Sequence, residues 1–325
     1  MDKIDWQPTA TIETLRKRAR CLAEIRRFFA ERGVLEIETP VLGRGGSTDL
    51  HLDSLSLIAN TPAGGRERLW LQTSPEFHMK RLLAADSGPI FQLARCFRDG
   101  EVGRRHNLEF TMLEWYRPGF SLEDLIDEIE ALIRLLLPYA GPRRLRRYRE
   151  LFREQLAIDP FTVPLVDLRH LASEQGNLDM SDNPRGDCLD LLMGLIIEPT
   201  LGQGGIDMVI DYPASQAALA RKHRDAEDGV EVAGRFEVYV QGLELANGYD
   251  ELTDAAEQAA RFAADNIERN KAGKPQVDVD ARLVAALQSG MPEGSGVALG
   301  VDRLIQLALG KQSVAEVIAF ATPDC

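Results

Sequence analysis

The sequence predicts an α+β fold, an antiparallel β-sheet flanked by helices. Three observations carry that expectation. Strand-like runs come in pairs joined by turn signals, as antiparallel hairpins do. Amphipathic helical segments separate the pairs and do not alternate with single strands, as a parallel sheet would require. No repeat, low-complexity tract or linker divides the 325 residues, so one domain spanning 1–325 is expected.

Between Ile12 and Phe29 the apolar residues Ile12, Leu15, Ala19, Leu22, Ile25 and Phe29 recur at helical spacing, with Thr11 as cap and Gly33 as stop. "VLEIETPVL" reads as a strand interrupted by Pro40. "RLWLQTSPEF" and "PIFQLARCFRD" read as strands flanking a short helix that carries "HMKRLLAA". The second runs into "FRDGEVGRRHNLEFTMLEWY", Phe97 to Tyr116, a hairpin with a long loop between Arg98 and Asn107. From Ser121 a helix is expected: Ser121 and Asp124 have capping-box spacing, Leu122, Leu125, Ile126, Ile129, Leu132, Ile133 and Leu136 share a face, and Pro138 ends it. Residues Gly141 to Leu201 read as helical, making about 120–205 a mostly helical insertion. Strands resume at "DMVIDYP" and "RFEVYVQGLELANGY", and "GVALGVDRLIQLALG" reads as a glycine-rich strand entering a helix.

Composition narrows the function classes. No apolar run approaches the ~20 residues that span a bilayer, so no membrane partner is expected. The start, "MDKIDWQPTA", lacks the charged and apolar regions of a signal peptide, which makes the cytoplasm the expected location. Cys21, Cys96, Cys188 and Cys325 show no CxxC spacing and the histidines lie far apart, which argues against a zinc site or a disulfide framework. A formal net charge of -13 argues against gripping a phosphate backbone as the main task.

Arg98, at the end of an apolar strand, and Arg303, at the start of a helix, suit phosphate or carboxylate oxygens; each alone fits a structural ion pair equally well. Glu237 and Glu244 flank a turn signal at Gln241-Gly242, so folding back there makes them cross-strand neighbours. Mg²⁺ takes one or two carboxylates plus phosphate oxygens in this way, although two solvated hairpin carboxylates would look the same. The glycines of "GSGVALGVDR" allow close backbone approach to a ligand. Phe110 is either core or a stacking surface for a base.

Together these segments resemble the class II aminoacyl-tRNA synthetases. "FFAERGVLEIETPVL", with Pro40, is similar to motif 1, Phe97 to Tyr116 to motif 2, and "GSGVALGVDRL" to motif 3, in the family's order and over about Ala19 to Phe320. "TSPEFHMKRL", "RHN" ahead of "EFTMLEWY", and "ELANGYDELTDA" resemble the lysine-specific branch. The resemblance implies that Arg98 bridges the ATP α-phosphate and the substrate carboxylate, that Arg303 holds the γ-phosphate and that Phe110 stacks on adenine. It places Asp99, Gly100, His106, Asn107, Leu245 and Gly300 around the nucleotide and gives Mg²⁺ to Glu237 and Glu244. Glu76, Glu251 and Tyr116 would form an amino-acid pocket with Ser74, Pro75, Asn247 and Ala298, its acidic pair suited to a substrate with two amines.

Lysine-specific synthetases carry an anticodon-binding domain ahead of motif 1, and the residues before motif 1 leave no room for one, so no tRNA anticodon recognition is expected. The family described in that form is the elongation factor P lysine ligases. By this resemblance the chain would activate (R)-β-lysine, or lysine, with ATP as an adenylate and transfer it to the ε-amine of a lysine on elongation factor P, as a homodimer built through motif 1. An ammonia-dependent asparagine synthetase and a non-catalytic regulatory paralogue compete with this reading. The acidic pocket favours a diamine over aspartate, and the retained arginines favour catalysis.

Two positions depart from the lysine-type pattern. Asp99-Gly100 stands where Asn-Glu is usual, with the acid displaced to Glu101, and Ala298 stands where a glycine is usual. The added methyl group is expected to trim the pocket against α-lysine. The basic run Arg143 to Arg153 reads as a solvated helical face, with a docking patch for an acidic acceptor as the alternative.

Overall fold

The computed structural model describes residues 6–226 and 228–322; Cys325 and the first five residues of "MDKIDWQPTA" lie outside the described residues. In chain order the elements are α1 (Ile12–Ala30), β1 (Leu35–Glu36), β2 (Leu42–Gly43), β3 (Ser56–Asn60), β4 (Arg66–Leu71), α2 (Glu76–Ala84), β5 (Ile90–Phe97) and β6 (Glu109–Pro118). Next come α3 (Leu122–Leu136), β7 (Arg143–Arg147), α4 (Tyr148–Leu156), α5 (Leu165–Gly176), α6 (Arg185–Leu192), β8 (Ile206–Pro213) and β9 (Lys222–Arg224). The chain finishes with β10 (Glu231–Val240), β11 (Leu243–Asp250), α7 (Ala255–Lys271), α8 (Ala281–Gly290), β12 (Gly294–Gly300) and α9 (Val301–Ala308).

Nine strands form the main sheet in the order β1-β5-β6-β12-β11-β10-β8-β7, with β9 on β10, and β2-β4-β3 make a small second sheet. The centre, β5 to β8, is antiparallel as expected, but both edges are parallel: β1 on β5 and β7 on β8. The fold is therefore α+β around a mixed sheet.

Local signals explain the helix starts. The Thr11 hydroxyl accepts from the Thr14 amide at 3.2 Å, and Ser121 and Asp124 make both bonds of a capping box at the head of α3. Tertiary pairing overrides the pattern in two places. "VLEIETPVL" is not one strand: β1 joins the main sheet, β2 joins the small one, and Pro40, which has no amide hydrogen, lies between them. Nor is 141–201 wholly helical, because Arg143–Arg147 pairs with Ile206–Ile210 as the parallel edge strand β7.

The basic run is thus half strand and half helix, and its charges are matched by acids. Arg143 pairs with Asp127 and Glu130, Arg144 with Asp207, Arg146 with Glu154, Arg147 with Asp211, and Arg149 and Arg153 with Asp159.

Strand alternation divides core from site. Leu113 and Trp115 of β6 and Val297 and Leu299 of β12 point into a core with Phe29 and Ile25 of α1, Ile129 of α3 and Leu304 of α9. Their neighbours Met112, Glu114 and Tyr116, with Gly296, Ala298 and Gly300, line a cavity of about 1120 Å³ on the opposite face. A second core under α4 to α6 packs Phe152, Leu168 and Leu189 with Val209 and Tyr239 of the sheet.

Candidate active site

The β5–β6 hairpin delivers Arg98. Its strands pair from Ile90 with Tyr116 to Phe97 with Glu109, and the Arg98 amide closes the ladder on the Leu108 carbonyl at 3.1 Å. The guanidinium lies over the Phe110 ring, 5.1 Å from its centre, and its Nε is buried with no hydrogen-bond partner on the protein. A buried, unpartnered cationic donor beside a cavity calls for an anionic ligand.

Arg303 enters from α9. It donates to the Glu244 carbonyl at 2.8 Å and contacts His106 Nε2 at 2.6 Å, tying the hairpin loop to β11. Burial, and next the Arg303 charge, lower the His106 pKa, so its ring is neutral and accepts from the guanidinium. Asn107 is buried, with its amide bonded to the Glu109 carbonyl and its oxygen to the Thr322 amide, so its side chain fixes the loop. Asp99 and Gly100 lie exposed at the start of the loop, away from the cavity lining, and Gly100 has the left-handed φ of 76° that the turn requires. Glu101 does line the cavity, 3.8 Å from Arg98.

The other end of the cavity is acidic. Glu76 in the first turn of α2 and Glu251 just past β11 both line it, and the Lys80 ammonium, 1% exposed, lies 2.6 Å from each. Burial opposes the Lys80 charge, yet the Glu251 and Glu76 carboxylates together outweigh it and hold its pKa above the usual value. Burial pushes Glu251 up to about 7 although Lys80 pulls the other way. Glu114 accepts from Ser74 and Tyr116 at 2.6 Å each, and burial, then Glu76, raises it to about 8. Pro75 lies behind the lining, where its carbonyl receives the first amides of α2. Asn247 and Ala298 pair across β11 and β12 on the floor, with Glu114 opposite Ala298 on β6. Leu245 and Gly300 line the same cavity.

The Gln241-Gly242 turn forms, with both residues at positive φ, 54° and 68°. Glu237 and Glu244 lie near each other across the hairpin but are not directly opposed. Glu244 faces Tyr239 next to the turn, and past a bulge between Val238 and Tyr239 Glu237 faces Asn247. Glu244 lines the cavity, and burial and the nearby Glu237 raise its pKa, so a cation there would relieve both effects. Glu237 lies behind it, held by Arg235, Tyr212 and Tyr239, with both oxygens engaged. Glu198 is a third acid nearby, raised to about 7 by burial and then by Glu244 and Glu237. No cluster of three or more His, Cys, Asp or Glu arranged to hold a metal occurs among the described residues. Glu244 with phosphate oxygens fits the habit of Mg²⁺, while Glu237 adds charge from behind.

The model for tRNA synthetases class II (D, K and N) matches residues 3–323. The chain belongs to that family. Among its relatives, a protein of Histophilus somni (strain 2336) is 50% identical over 322 residues, 98% of each chain. One of Pasteurella multocida (strain Pm70) is 48% identical over 317 residues, 97% of each. A third, of Erwinia tasmaniensis, is 48% identical over 328 residues, 100% of this chain and 99% of its own. Each of the three carries the name "Elongation factor P--(R)-beta-lysine ligase".

As a class II tRNA synthetase fold, the chain brings Arg98, Arg303, Phe110, Glu76, Glu251, Tyr116, Asn247 and Ala298 around one cavity. The motif reading missed Lys80, Glu114, Glu198 and Arg235. Lys80 had a signal, since it lies four residues after Glu76 on a helix, where side chains meet. Arg235 had none: it donates to Asn247, Glu237 and the Gln216 carbonyl across three elements.

Proposed function

We propose that the chain activates (R)-β-lysine with ATP and transfers it to the ε-amine of a lysine on elongation factor P. One observation carries the reading: a single cavity joins the Arg98 guanidinium, whose Nε has no hydrogen-bond partner, to a buried acidic pocket. The names of relatives about half identical over almost their whole length support it.

In the first step a carboxylate oxygen of the amino acid attacks the α-phosphorus, pyrophosphate leaves and a mixed anhydride forms. Arg98 neutralises the carboxylate and α-phosphate as they meet, and Arg303, fixed by Glu244 and His106, holds the outer phosphates. Phe110 offers its face to adenine. Glu76 and Glu251 receive the substrate's ammonium, with Tyr116 beside them. Asn247, oriented by Arg235, presents its amide to the carboxylate end. Glu244, with Glu237 behind it, would hold Mg²⁺, which would supply charge neutralisation for the phosphates. In the second step the uncharged acceptor amine attacks the carbonyl carbon, AMP leaves and an amide forms.

The chain acts as a cytoplasmic homodimer over a single domain and reads no tRNA anticodon. No helix among the described residues is long and apolar enough to cross a membrane. Leu35 and Leu42 of the motif 1 segment are exposed apolar side chains available to a second copy.

Pyrophosphate exchange with β-lysine, lysine and aspartate, followed by the mass of elongation factor P after incubation, tests the proposal. Exchange with β-lysine and a gain of one β-lysyl group are expected. Exchange with aspartate alone would replace the reading with an asparagine synthetase-like one.

A further inference from the structure

We propose that Lys80 is a positioning residue that sets the charge of the amino-acid pocket: its ammonium holds Glu76 and Glu251 as a pair and leaves one uncompensated negative charge for one ammonium of the substrate. The inference rests on the functional reading above. Glu76 and Glu251 face the cavity while Lys80 does not, so the lysine acts on substrate only through the two acids. One turn of α2 carries Glu76 and Lys80, and Glu251 arrives from the end of β11, its amide on the Gly294 carbonyl at 3.0 Å.

The other charged groups near the pair do not change the count. Glu114 from β6 is held protonated at neutral pH, beside the hydroxyl of Tyr116. Asp250, next to Glu251, faces Arg221, which also reaches Glu293. Arg261 of α7 spends its donors on the carbonyls of Ala218 and Ala220 and on Glu257. Two carboxylates and one ammonium remain. A neutral side chain at position 80 would leave two buried carboxylates together without a cation, and such a pair takes up a proton. Substrate would then have to displace that proton to bind.

The test is the pH dependence of amino-acid-dependent pyrophosphate exchange. In the parent chain kcat/KM for β-lysine rises with pH as Glu251 ionises near about 7. In Lys80→Met that acid limb moves alkaline by about one pH unit or more, and KM for the amino acid at neutral pH rises about tenfold while KM for ATP stays within about twofold. Lys80→Gln keeps hydrogen-bond donors while removing the charge, so it gives the same shift and guards against a folding defect in the Met variant. Lys80→Arg keeps the limb in place. A limb that stays put in both neutral variants, or an equal rise in KM for ATP, overturns the role assigned to Lys80. Absence of exchange with β-lysine and lysine in the parent chain would overturn the functional reading instead.

Discussion

Ala298 puts one methyl group on the floor of the cavity, between Asn247 on β11 and Glu114 on β6. A single methylene in a pocket discriminates by about 10- to 200-fold. Ala298→Gly should raise exchange with α-lysine relative to β-lysine by about tenfold; an unchanged ratio would sink the assignment. Glu114 gives a stability prediction. Burial keeps it protonated to about pH 8, so the folded chain retains a proton that the unfolded chain releases near the ordinary carboxylate value of 4.5. Stability therefore falls as pH rises through that window and levels off above it. Glu114→Gln should remove about 2–4 kcal/mol of the fall between about pH 5 and about pH 9. Urea midpoints at the two ends measure it, and an identical fall in both chains would refute the account. Arg98, Arg303 and the pocket acids were legible because each stands in a motif with its own spacing. Lys80 and Glu114 were not singled out, because a buried charge acquires meaning only when its partners are known.

The strand β12 needs glycine where it passes the pocket. A Cβ on Gly296 would come within 2.4 Å of the Tyr116 ring and 2.5 Å of Glu251 Oε1. Gly296→Ala should raise KM for the amino acid more than about tenfold and leave KM for ATP within about twofold; equal effects on both would contradict this division of the cavity. The helices and central hairpins were legible in the sequence, since capping boxes, periodicity and turn residues act locally. The edges were not. Five residues with four arginines carry no strand pattern, and β7 forms because β8 offers an edge and Asp207 and Asp211 offer counter-charges. The bulge that sets Glu237 opposite Asn247 was likewise invisible, because register depends on both strands.

Across the whole molecule the acidic balance hides a division of labour. The basic run is spent on internal ion pairs, whereas the guanidinium of Arg98 keeps a donor unspent beside the cavity. The exposed apolar side chains Leu35 and Leu42 belong to the proposed dimer surface. Leu35→Glu with Leu42→Glu should convert a two-chain species to single chains in sedimentation velocity; a single-chain parent would remove the homodimer from the proposal.

The alternation along β6 and β12 constrains length as well as residue type. Leu113, Trp115, Val297 and Leu299 face one way and Glu114, Tyr116, Gly296 and Ala298 the other, so one residue added to or removed from either strand would exchange greasy and reactive faces. Many substitutions there alter a rate, but a one-codon insertion would turn the molecule inside out along that strand.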